Sequence, residues 1–395
     1  MMIRLGVIGY GLRAQGIVKD IYSLERNARV VAISDPRKRK ICKQFKEKGE
    51  NLEQIGFFDD PDQMLDDGNL DGVLIGTRCS LHTQMALKVL ARGIPLFLEK
   101  PVATNMEDII KLCQVEVNKS RVVVSFPLRV TPMVKLVKEI IDSHKIGTVE
   151  HIQAYNNVPY GGVYYHGWYR DEKETNGLFI QKATHDFDYI NHLLGIKPVR
   201  ICAMQSKQIF KGSNPPGLKC SECEKKENCY DSPFHFNYKQ TKADIVPPED
   251  SMCCFAIDTG NEDSGSALIE YESGMHVAYS QNFFARKGAA KRGARLIGYQ
   301  GTVEFDYYTN EVKVFMHHLS RVETYKIDRE FDQSHGGGDL VLAKNFLDVI
   351  EGKAETVAPL SAGLLSVLMC LKAKESAMTK TFQEISSLES LIQDE

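Results

Sequence analysis

A short segment beginning at Gln181, QKATHDFD, concentrates side chains that can carry protons. It contains Lys182, His185 and Asp188, and apolar residues flank it on both sides. At helical spacing Gln181, His185 and Asp188 share one face, which fits a helix that presents polar groups to a substrate cleft. An ordinary solvated helix is the alternative reading, because Lys182 and Asp186 have the spacing of an i,i+4 ion pair.

A second group of residues, close to the N-terminus, has the spacing of a dinucleotide-binding turn. The pattern G-x-G-x-x-A, formed by Gly9, Gly11 and Ala14, follows an apolar strand and opens a helix. Gly9 permits the tight turn, and Gly11 allows a pyrophosphate to approach the backbone. The helix N-terminus, with Leu12 and Arg13, offers unpaired N–H groups to that anion.

The second strand of this region, RVVAISD, ends in an acid, Asp35. A carboxylate at this position accepts hydrogen bonds from the adenosine ribose hydroxyls and repels a 2′-phosphate, so it favours NAD. Arg37 opens the basic run RKRK directly afterwards and could hold that phosphate, which keeps NADP as an alternative. A solvated helix face also explains the run.

The segment CSECEKKENC contains thiols at a spacing that metals use. Cys220, Cys223 and Cys229 form C-x2-C-x5-C in a lysine-rich loop of about residues 211–250. Thiolates at this spacing can share one metal ion, and a small polar loop gains stability from such a staple. Cys253, in SMCCF, is the candidate fourth ligand of a structural zinc site, with Cys254, Cys202 and His235 as the alternatives. An iron–sulfur cluster and reduced, metal-free thiols are the alternatives.

Two further stretches are candidates for substrate contact. Tyr165 and Trp168, in YYHGWYR, suit stacking against a pyranose ring, although aromatics at this density are as often core residues. The glycine-rich HGGGD before a late helix would let its backbone and His335 approach a sugar closely.

The elements that must position these residues change character along the chain. Apolar strands such as IRLGVIGYG and DGVLIGT alternate with helices in the first third, which predicts a parallel sheet covered on both faces. After about residue 127, consecutive short strands, SMCCFAIDT among them, predict one large, mostly antiparallel sheet. Helices over about 338–350 and 361–376 close the chain.

Bulk properties exclude several classes of partner. The 395 residues suffice for two domains, and the net charge of −3 gives no attraction to nucleic acid or to an anionic membrane. No window approaches the apolar length of a membrane span, and the N-terminus does not have the pattern of a signal peptide. Ten cysteines without such a signal predict reduced thiols and a cytoplasmic location.

Three stretches together resemble the Gfo/Idh/MocA oxidoreductases: LGVIGYGLRAQG, TRCSLHTQMALKVLARGIPLFLEKP and GLFIQKATHDFDYINHLLG. The resemblance covers essentially the whole chain. It implies a Rossmann domain over residues 1–126 and an α+β domain over 127–395 whose large open sheet binds substrate and supports homo-oligomers. It also implies hydride transfer between nicotinamide and a secondary hydroxyl of a sugar, inositol or glycoside.

The same resemblance implies roles for single residues. Lys100, in the E-K-P tripeptide with Glu99, corresponds to the family's catalytic lysine, and a nearby cationic nicotinamide and desolvation lower the pKa of a lysine in that setting. His185 stands at the position of the family's acid/base histidine. Gln181 occupies the place of the aspartate that usually supports it, so Lys100 or Lys182 would carry more of the proton transfer.

Three more residues match family positions along the cofactor. Thr77 and His82 fall in the loop after the fourth strand, and Arg129 follows the sixth strand, near the nicotinamide or the substrate.

Two other functions stay open from the sequence. A redox-neutral enzyme with permanently bound NAD could oxidise a glycoside, allow elimination or epimerisation, and return the hydride. A non-catalytic NAD-binding sensor is the second, and Gln181 gives it some support.

Overall fold

The computed structural model describes residues 2–47, 54–115, 121–235, 247–328 and 334–393, so part of the predicted cysteine-rich loop (236–246) lies outside it. The chain forms two compact units. The first unit comprises Met1–Val134, Arg329–Leu368 and Ser386–Glu395; the second comprises Lys135–Asp328 and Met369–Ile385.

Strands and α-helices follow each other in the order that the sequence predicts for most of the chain. The strands are β1 (Ile3–Ile8), β2 (Ala28–Ser34), β3 (Gly56–Phe58), β4 (Gly72–Ile75), β5 (Leu96–Leu98), β6 (Val122–Val124), β7 (Val149–Asn157), β8 (Pro198–Ser206), β9 (Ser264–Tyr271), β10 (His276–Asn282), β11 (Lys291–Gly298), β12 (Gly301–Asp306), β13 (Glu311–Met316), β14 (Val322–Lys326) and β15 (Gln383–Glu384). The helices are α1 (Leu12–Ser23), α2 (Lys38–Glu47), α3 (Pro61–Asp67), α4 (His82–Leu90), α5 (Met106–Gln114), α6 (Pro132–Asp142), α7 (Val163–His166), α8 (Glu172–Thr175), α9 (Thr184–Leu194), α10 (Gly338–Ile350), α11 (Leu360–Thr379) and α12 (Ser390–Gln393).

The first unit is built on a six-stranded sheet in the order β3-β2-β1-β4-β5-β6, with every neighbouring pair parallel. Its central strands are apolar on both faces because helices cover both sides, and β4 to β6 are buried along their whole length. The strand order reverses at β1, and the crevice at such a point is where doubly wound folds bind dinucleotides.

The second unit is built on a nine-stranded sheet in the order β14-β13-β12-β11-β7-β10-β9-β8-β15. Its neighbours are antiparallel except for β7 and β10, which run parallel. Alternating burial along β9 and β10 shows one face packed and the other exposed. The predicted Rossmann-like sheet and the predicted large, mostly antiparallel sheet are both confirmed.

The chain divides differently from the boundary predicted at residue 126. Residues 329–368 return to the first unit, where α10 packs against α1 and against the turn Pro127–Val130. Gly338, the first residue of α10, makes this approach possible, since a Cβ there would lie 2.0 Å from the carbonyl oxygen of Pro127. Such pairing across about two hundred residues leaves no local sequence signal.

Two local predictions are wrong. SMCCFAIDT is not a strand; it forms turns, tied to the preceding loop by a bridge between Lys219 and Met252. The segment that begins at Gln181 is not a regular amphipathic helix, because Phe179–Ala183 form a π-helical turn that leads into α9. Every residue from Leu178 to Ile190 is buried, so the segment has no solvated face.

Candidate active site

The glycine turn after β1 has the geometry of a dinucleotide cradle. Gly9 has φ of 81°, and a Cβ on it would lie 2.8 Å from Thr77, so both the conformation and the close approach require glycine. A Cβ on Gly11 would meet only the Gly76 carbonyl oxygen, at 3.6 Å, and the Arg37 side chain, at 4.0 Å. The protein itself therefore does not require glycine at position 11, whereas a pyrophosphate lying on the backbone does.

The N-terminus of α1 is available to an anion. Gly11 is its N-cap residue, and among the described residues no side chain caps that end. The third position of the pattern, Ala14, packs closely on the sheet, since a Cβ on Gly76 would lie 2.9 Å from the Ala14 Cβ. Leu12, predicted at the cofactor, is 57% exposed in the first helical turn. The residues present therefore fit the phosphates of a dinucleotide.

Asp35 at the end of β2 is a buried carboxylate held by three donors. It accepts hydrogen bonds from the backbone N–H groups of Tyr10 (2.9 Å) and Arg37 (2.7 Å) and from the Arg37 guanidinium (2.8 and 3.0 Å). Burial alone would raise the pKa of Asp35, but these hydrogen bonds hold it below its ordinary value. Arg37 is therefore folded onto the acid and neutralises it, which the sequence did not predict.

Arg13, in the first turn of α1, lies at the centre of an ionic network. Its guanidinium contacts both carboxylate oxygens of Asp339 at 3.0 and 3.1 Å, and Glu99 at 3.2 Å. The His335 ring nitrogen Nδ1 lies 2.7 Å from Asp339, and Ser125 donates a hydrogen bond of 3.1 Å to Glu99. The glycine-rich HGGGD segment is thus joined to the cofactor turn, and His335, predicted as a substrate contact, has Asp339 as a partner.

The E-K-P tripeptide follows β5 at the carboxyl edge of the parallel sheet. Lys100 is half-buried, and the peptide bond to Pro101 is cis. The His82 ring lies beside it, with Nδ1 2.7 Å from the Pro101 carbonyl oxygen and Nε2 3.3 Å from that of Thr77. Burial lowers the pKa of His82 by more than the contacts with these carbonyl oxygens raise it.

His82 and Arg129 make structural contacts of their own, and their predicted place along the cofactor stays a prediction. His82 is 2% exposed and ties the loop after β4 to the loop after β5. Arg129 is 7% exposed and donates a hydrogen bond of 3.1 Å to the carbonyl oxygen of Val357. Of the two, His82 contacts the backbone next to Lys100 and that of Thr77.

In the second unit, Lys182 projects from the π-helical turn into an aromatic cluster. Its Nζ lies 2.6 Å from the Tyr160 hydroxyl, 4.6 Å above the Tyr160 ring and 5.3 Å above the Tyr164 ring. Ring faces attract a cation, so the two tyrosine rings suit the ammonium group of this 6% exposed lysine. Tyr160 was not predicted; the tyrosine-rich sequence VPYGGVYY was the only available signal.

Asp186 pairs with Arg292, in place of the suggested partner Lys182. Arg292 contacts Asp186 at 2.7 and 2.8 Å, and Asn156 and Tyr279 donate hydrogen bonds of 2.7 and 2.9 Å to it. This buried pair fastens α9 to the nine-stranded sheet. His185 and Asp188 lie on the same buried helix, at 8% and 1% exposure.

A buried glutamate, Glu262, binds the backbone at the start of the segment that carries Lys182 and His185. Glu262 accepts hydrogen bonds from the backbone N–H groups of Leu178 (2.8 Å) and Phe179 (2.9 Å). Gln181 is 1% exposed, and its amide reaches the Thr175 carbonyl oxygen at 3.5 Å. The irregular π-helical turn is thus fixed from both sides.

The predicted aromatic stacking residues separate into two kinds. Tyr165 is fully buried, packs on Phe210 with ring centroids 4.1 Å apart and donates to the Glu262 carbonyl oxygen at 2.7 Å. It is a core residue, contrary to the predicted sugar contact. Trp168 is half-buried and stacks on Tyr169 at 3.9 Å.

Family models match both parts of the chain. The model described as an oxidoreductase family with an NAD-binding Rossmann fold matches residues 3–126, and the GFO/IDH/MocA C-terminal domain matches residues 134–304. The chain belongs to the Gfo/Idh/MocA oxidoreductase family. The predicted family membership is therefore confirmed, and this Gfo/Idh/MocA protein has the NAD-binding type of Rossmann domain.

Individual members are similar at lower levels of identity. YteT of Bacillus subtilis (strain 168), named only as a candidate oxidoreductase, is 26% identical over 350 residues, covering 79% of this chain and 80% of YteT. The scyllo-inositol 2-dehydrogenase (NAD(+)) of the same strain is 29% identical over 203 residues, but the match spans only 54% of that enzyme. A levoglucosan dehydrogenase in complex with NADH and levoglucosan shares the fold, with a TM-score of 0.76, 16% identity and coverage of 98% and 100%.

Among the residues that the structure describes, no helix combines the length and apolar character needed to cross a bilayer.

Proposed function

We propose that this Gfo/Idh/MocA protein is an NAD-dependent dehydrogenase of a secondary hydroxyl in a sugar, inositol or glycoside. The main support for the proposal is the glycine turn after β1 together with the Asp35 carboxylate. The protein leaves room for a side chain at Gly11, so a bound pyrophosphate explains the glycine there. The similar enzymes named for scyllo-inositol and levoglucosan support a polyhydroxylated substrate.

NAD is the preferred cofactor in this proposal. Gly9, Gly11, Leu12 and Arg13 would hold its pyrophosphate, and Asp35 would accept hydrogen bonds from the adenosine ribose. When bound, NAD supplies the acceptor for the hydride that leaves the alcohol carbon. Arg37 already neutralises Asp35, so a 2′-phosphate would have to displace that ion pair.

Proton transfer is assigned to Lys100 in the first unit and to His185 and Lys182 in the second. Lys100 follows β5 at the sheet edge where ligands of doubly wound folds bind, so its amine can take the hydroxyl proton. His185 and Lys182 are held on one buried segment, and Lys182 donates a hydrogen bond to the Tyr160 hydroxyl. Trp168, Gln181, Asp188 and His335 remain proposed substrate contacts.

The decisive experiment is NAD reduction with inositols, anhydrosugars and glycosides. Wild type is compared with Lys100→Met and His185→Asn, and with the matched controls Lys88→Met and His276→Asn, whose side chains belong to other contacts. Loss of a general acid or base typically costs about 10²–10⁴-fold in rate, and we expect this for Lys100→Met and His185→Asn, with NAD affinity retained.

Each result distinguishes the functions that the sequence left open. NADH that accumulates with one substrate class supports the dehydrogenase. Tight NAD binding with product formation but no NADH release supports the redox-neutral enzyme. Turnover at wild-type rates in both variants would contradict the assignment of Lys100 and His185, and binding without any turnover would support the sensor.

We also infer two coarser properties. The ten free cysteines suit a reducing compartment such as the cytoplasm. The broad, one-sided sheet of the second unit suits a homo-oligomer, which size-exclusion chromatography with light scattering would test.

A further inference from the structure

Cys254 and four further cysteines, from two separate segments, line one cavity in the second unit. The cavity has a volume of about 540 Å³, and its lining includes Cys220, Cys223, Cys229 and Cys253. Residues 211–235 place only Cys220, Ser232 and His235 in buried positions, so this stretch has almost no apolar core of its own. A segment of this length without a core needs another source of stability.

Backbone pairing brings Cys253 to the other three. The Cys220 N–H donates to the Ser251 carbonyl oxygen at 2.7 Å, and the Cys253 N–H donates to that of Leu218 at 2.8 Å. These bonds surround the antiparallel bridge between Lys219 and Met252. In this register Cys220 and Cys253 are diagonal neighbours on one face of the pair.

Two successive turns bring Cys223 and Cys229 to the cavity that Cys220 and Cys253 also line. The Cys223 N–H donates to the Cys220 carbonyl oxygen at 3.3 Å, and the Cys229 N–H to that of Lys225 at 3.0 Å. These turns and the shared cavity wall place the four thiols in one environment.

The surroundings suit a metal that converts thiols to thiolates. Lys225 and Lys226 line the cavity and offset the negative charge that four thiolates around a divalent ion would carry. In the described residues no three cysteine, histidine or acidic side chains already converge at coordination distance. Cys223 and Cys229 are half-buried on turns in the wall of the cavity.

We propose that Cys220, Cys223, Cys229 and Cys253 bind one structural zinc ion that holds their two segments of the chain together. Four thiolates with no open position match a structural site, and the soft ligands favour zinc over oxygen-preferring cations. The zinc would tie the 218–229 segment to the 251–253 segment. The proposal is independent of the proposed enzymatic activity.

Hydrogen bonds also link the neighbourhood of Cys253 and the segment that contains Tyr164 and Tyr169 to nearby side chains. Arg170 donates to the Cys253 carbonyl oxygen at 3.3 Å and contacts Asp258 at 2.8 Å. Asn261 donates to the carbonyl oxygens of Tyr164 and Tyr169 at 3.4 and 2.7 Å. A metal bound to Cys253 would therefore help to fix the backbone near Tyr164 and Tyr169.

The test is elemental analysis of untagged, full-length protein purified under reducing conditions. We expect zinc equimolar with the chain, and loss of zinc in Cys220→Ser and Cys253→Ser. Cys202→Ser, which alters a cysteine of β8, is the matched control and should keep its zinc. If the serine variants misfold, cobalt is substituted into the wild-type protein instead. Thiolate-to-cobalt charge-transfer absorption then reports thiolate ligands directly.

Several outcomes would overturn the proposal. They are metal-free protein that gives no charge-transfer band with cobalt, equal zinc loss in Cys202→Ser, bound iron in place of zinc, or thiol counts showing disulfides among the four cysteines. None of these readouts depends on NAD or on turnover, so a failed zinc site and a failed dehydrogenase assignment are distinguishable.

Discussion

Asp339, at the start of α10, binds Arg13 of the cofactor turn through both carboxylate oxygens, at 3.0 and 3.1 Å. The two residues are separated by 326 positions in the chain. Burial alone would raise the pKa of Asp339, but the charges of His335 and Arg13 and their hydrogen bonds hold it far below its usual range. The carboxylate therefore favours its charged form, and it holds the guanidinium beside the glycine turn.

We expect Asp339→Asn to destabilise the protein by about 1–3 kcal/mol, because Arg13 loses its main charge partner in a largely buried network. The folded-state pKa lies below the unfolded value, so this stabilisation is present above about pH 4 and declines as the pH falls further. Denaturant unfolding at pH 7 and pH 3.5 measures the difference between the two proteins. A difference that does not shrink at the lower pH would contradict the charge-based explanation.

The pKa of Asp20, on α1, is shifted in the opposite direction to that of Asp339. Burial, followed by the charge of Asp339, raises the pKa of Asp20 to about 6. Ionised Asp20 is therefore a cost in the folded state, and stability declines as the pH rises from about 4 through 6. Because the side chain is partly exposed, solvent screening reduces the effect to about 1 kcal/mol.

Asp20→Asn should consequently stabilise the protein at pH 8 and have no effect near pH 3.5. Unfolding curves at both pH values check this, with Asp142→Asn, whose carboxylate pairs with Lys138 on an exposed surface, as control. The gain should be smaller in an Asp339→Asn background, since part of its cause is removed there. Equal stabilisation at both pH values would indicate a packing effect instead.

The Asp35–Arg37 pair should determine cofactor preference. Asp35→Ser removes the negative charge and releases Arg37, which can then meet a 2′-phosphate, so we expect the ratio of NADP to NAD affinity to rise by about tenfold or more. Arg37→Ala, the paired variant, should leave Asp35 unneutralised and disfavour NADP further. Calorimetric titration with both dinucleotides measures the ratio, and an unchanged ratio in Asp35→Ser would place the ribose elsewhere.

The Lys182–Tyr160 hydrogen bond should matter for turnover and not for NAD affinity. Tyr160→Phe removes the hydroxyl 2.6 Å from Lys182 and keeps the ring below the ammonium, so a fall in kcat of about tenfold or more would assign proton transfer to the hydroxyl. Tyr169→Phe, an alteration in the same aromatic group, serves as control. A fall in both variants, or a raised KM alone, would indicate a role in packing or binding.

Local sequence determined much of this protein. The apolar strands, the glycine turn with Asp35 and the final helices appear at or within a few residues of their predicted positions, because burial of continuous apolar runs and the conformational demands at Gly9 act within short segments. Lys100 and His185 were located by resemblance to a family, which depends on the order of residues and not on their contacts.

Only the tertiary structure decided how the polar residues are paired. Lys182 contacts Tyr160 while Asp186 contacts Arg292, and Asp339 reaches Arg13, although nearer charges were available in the sequence. The burial of Tyr165 and the meeting of Cys253 with Cys220 likewise depend on strand register and on turns far apart in the chain. The physical reason is that burial makes each charge and hydroxyl select the partner that satisfies it in space, and sequence separation carries no information about that choice.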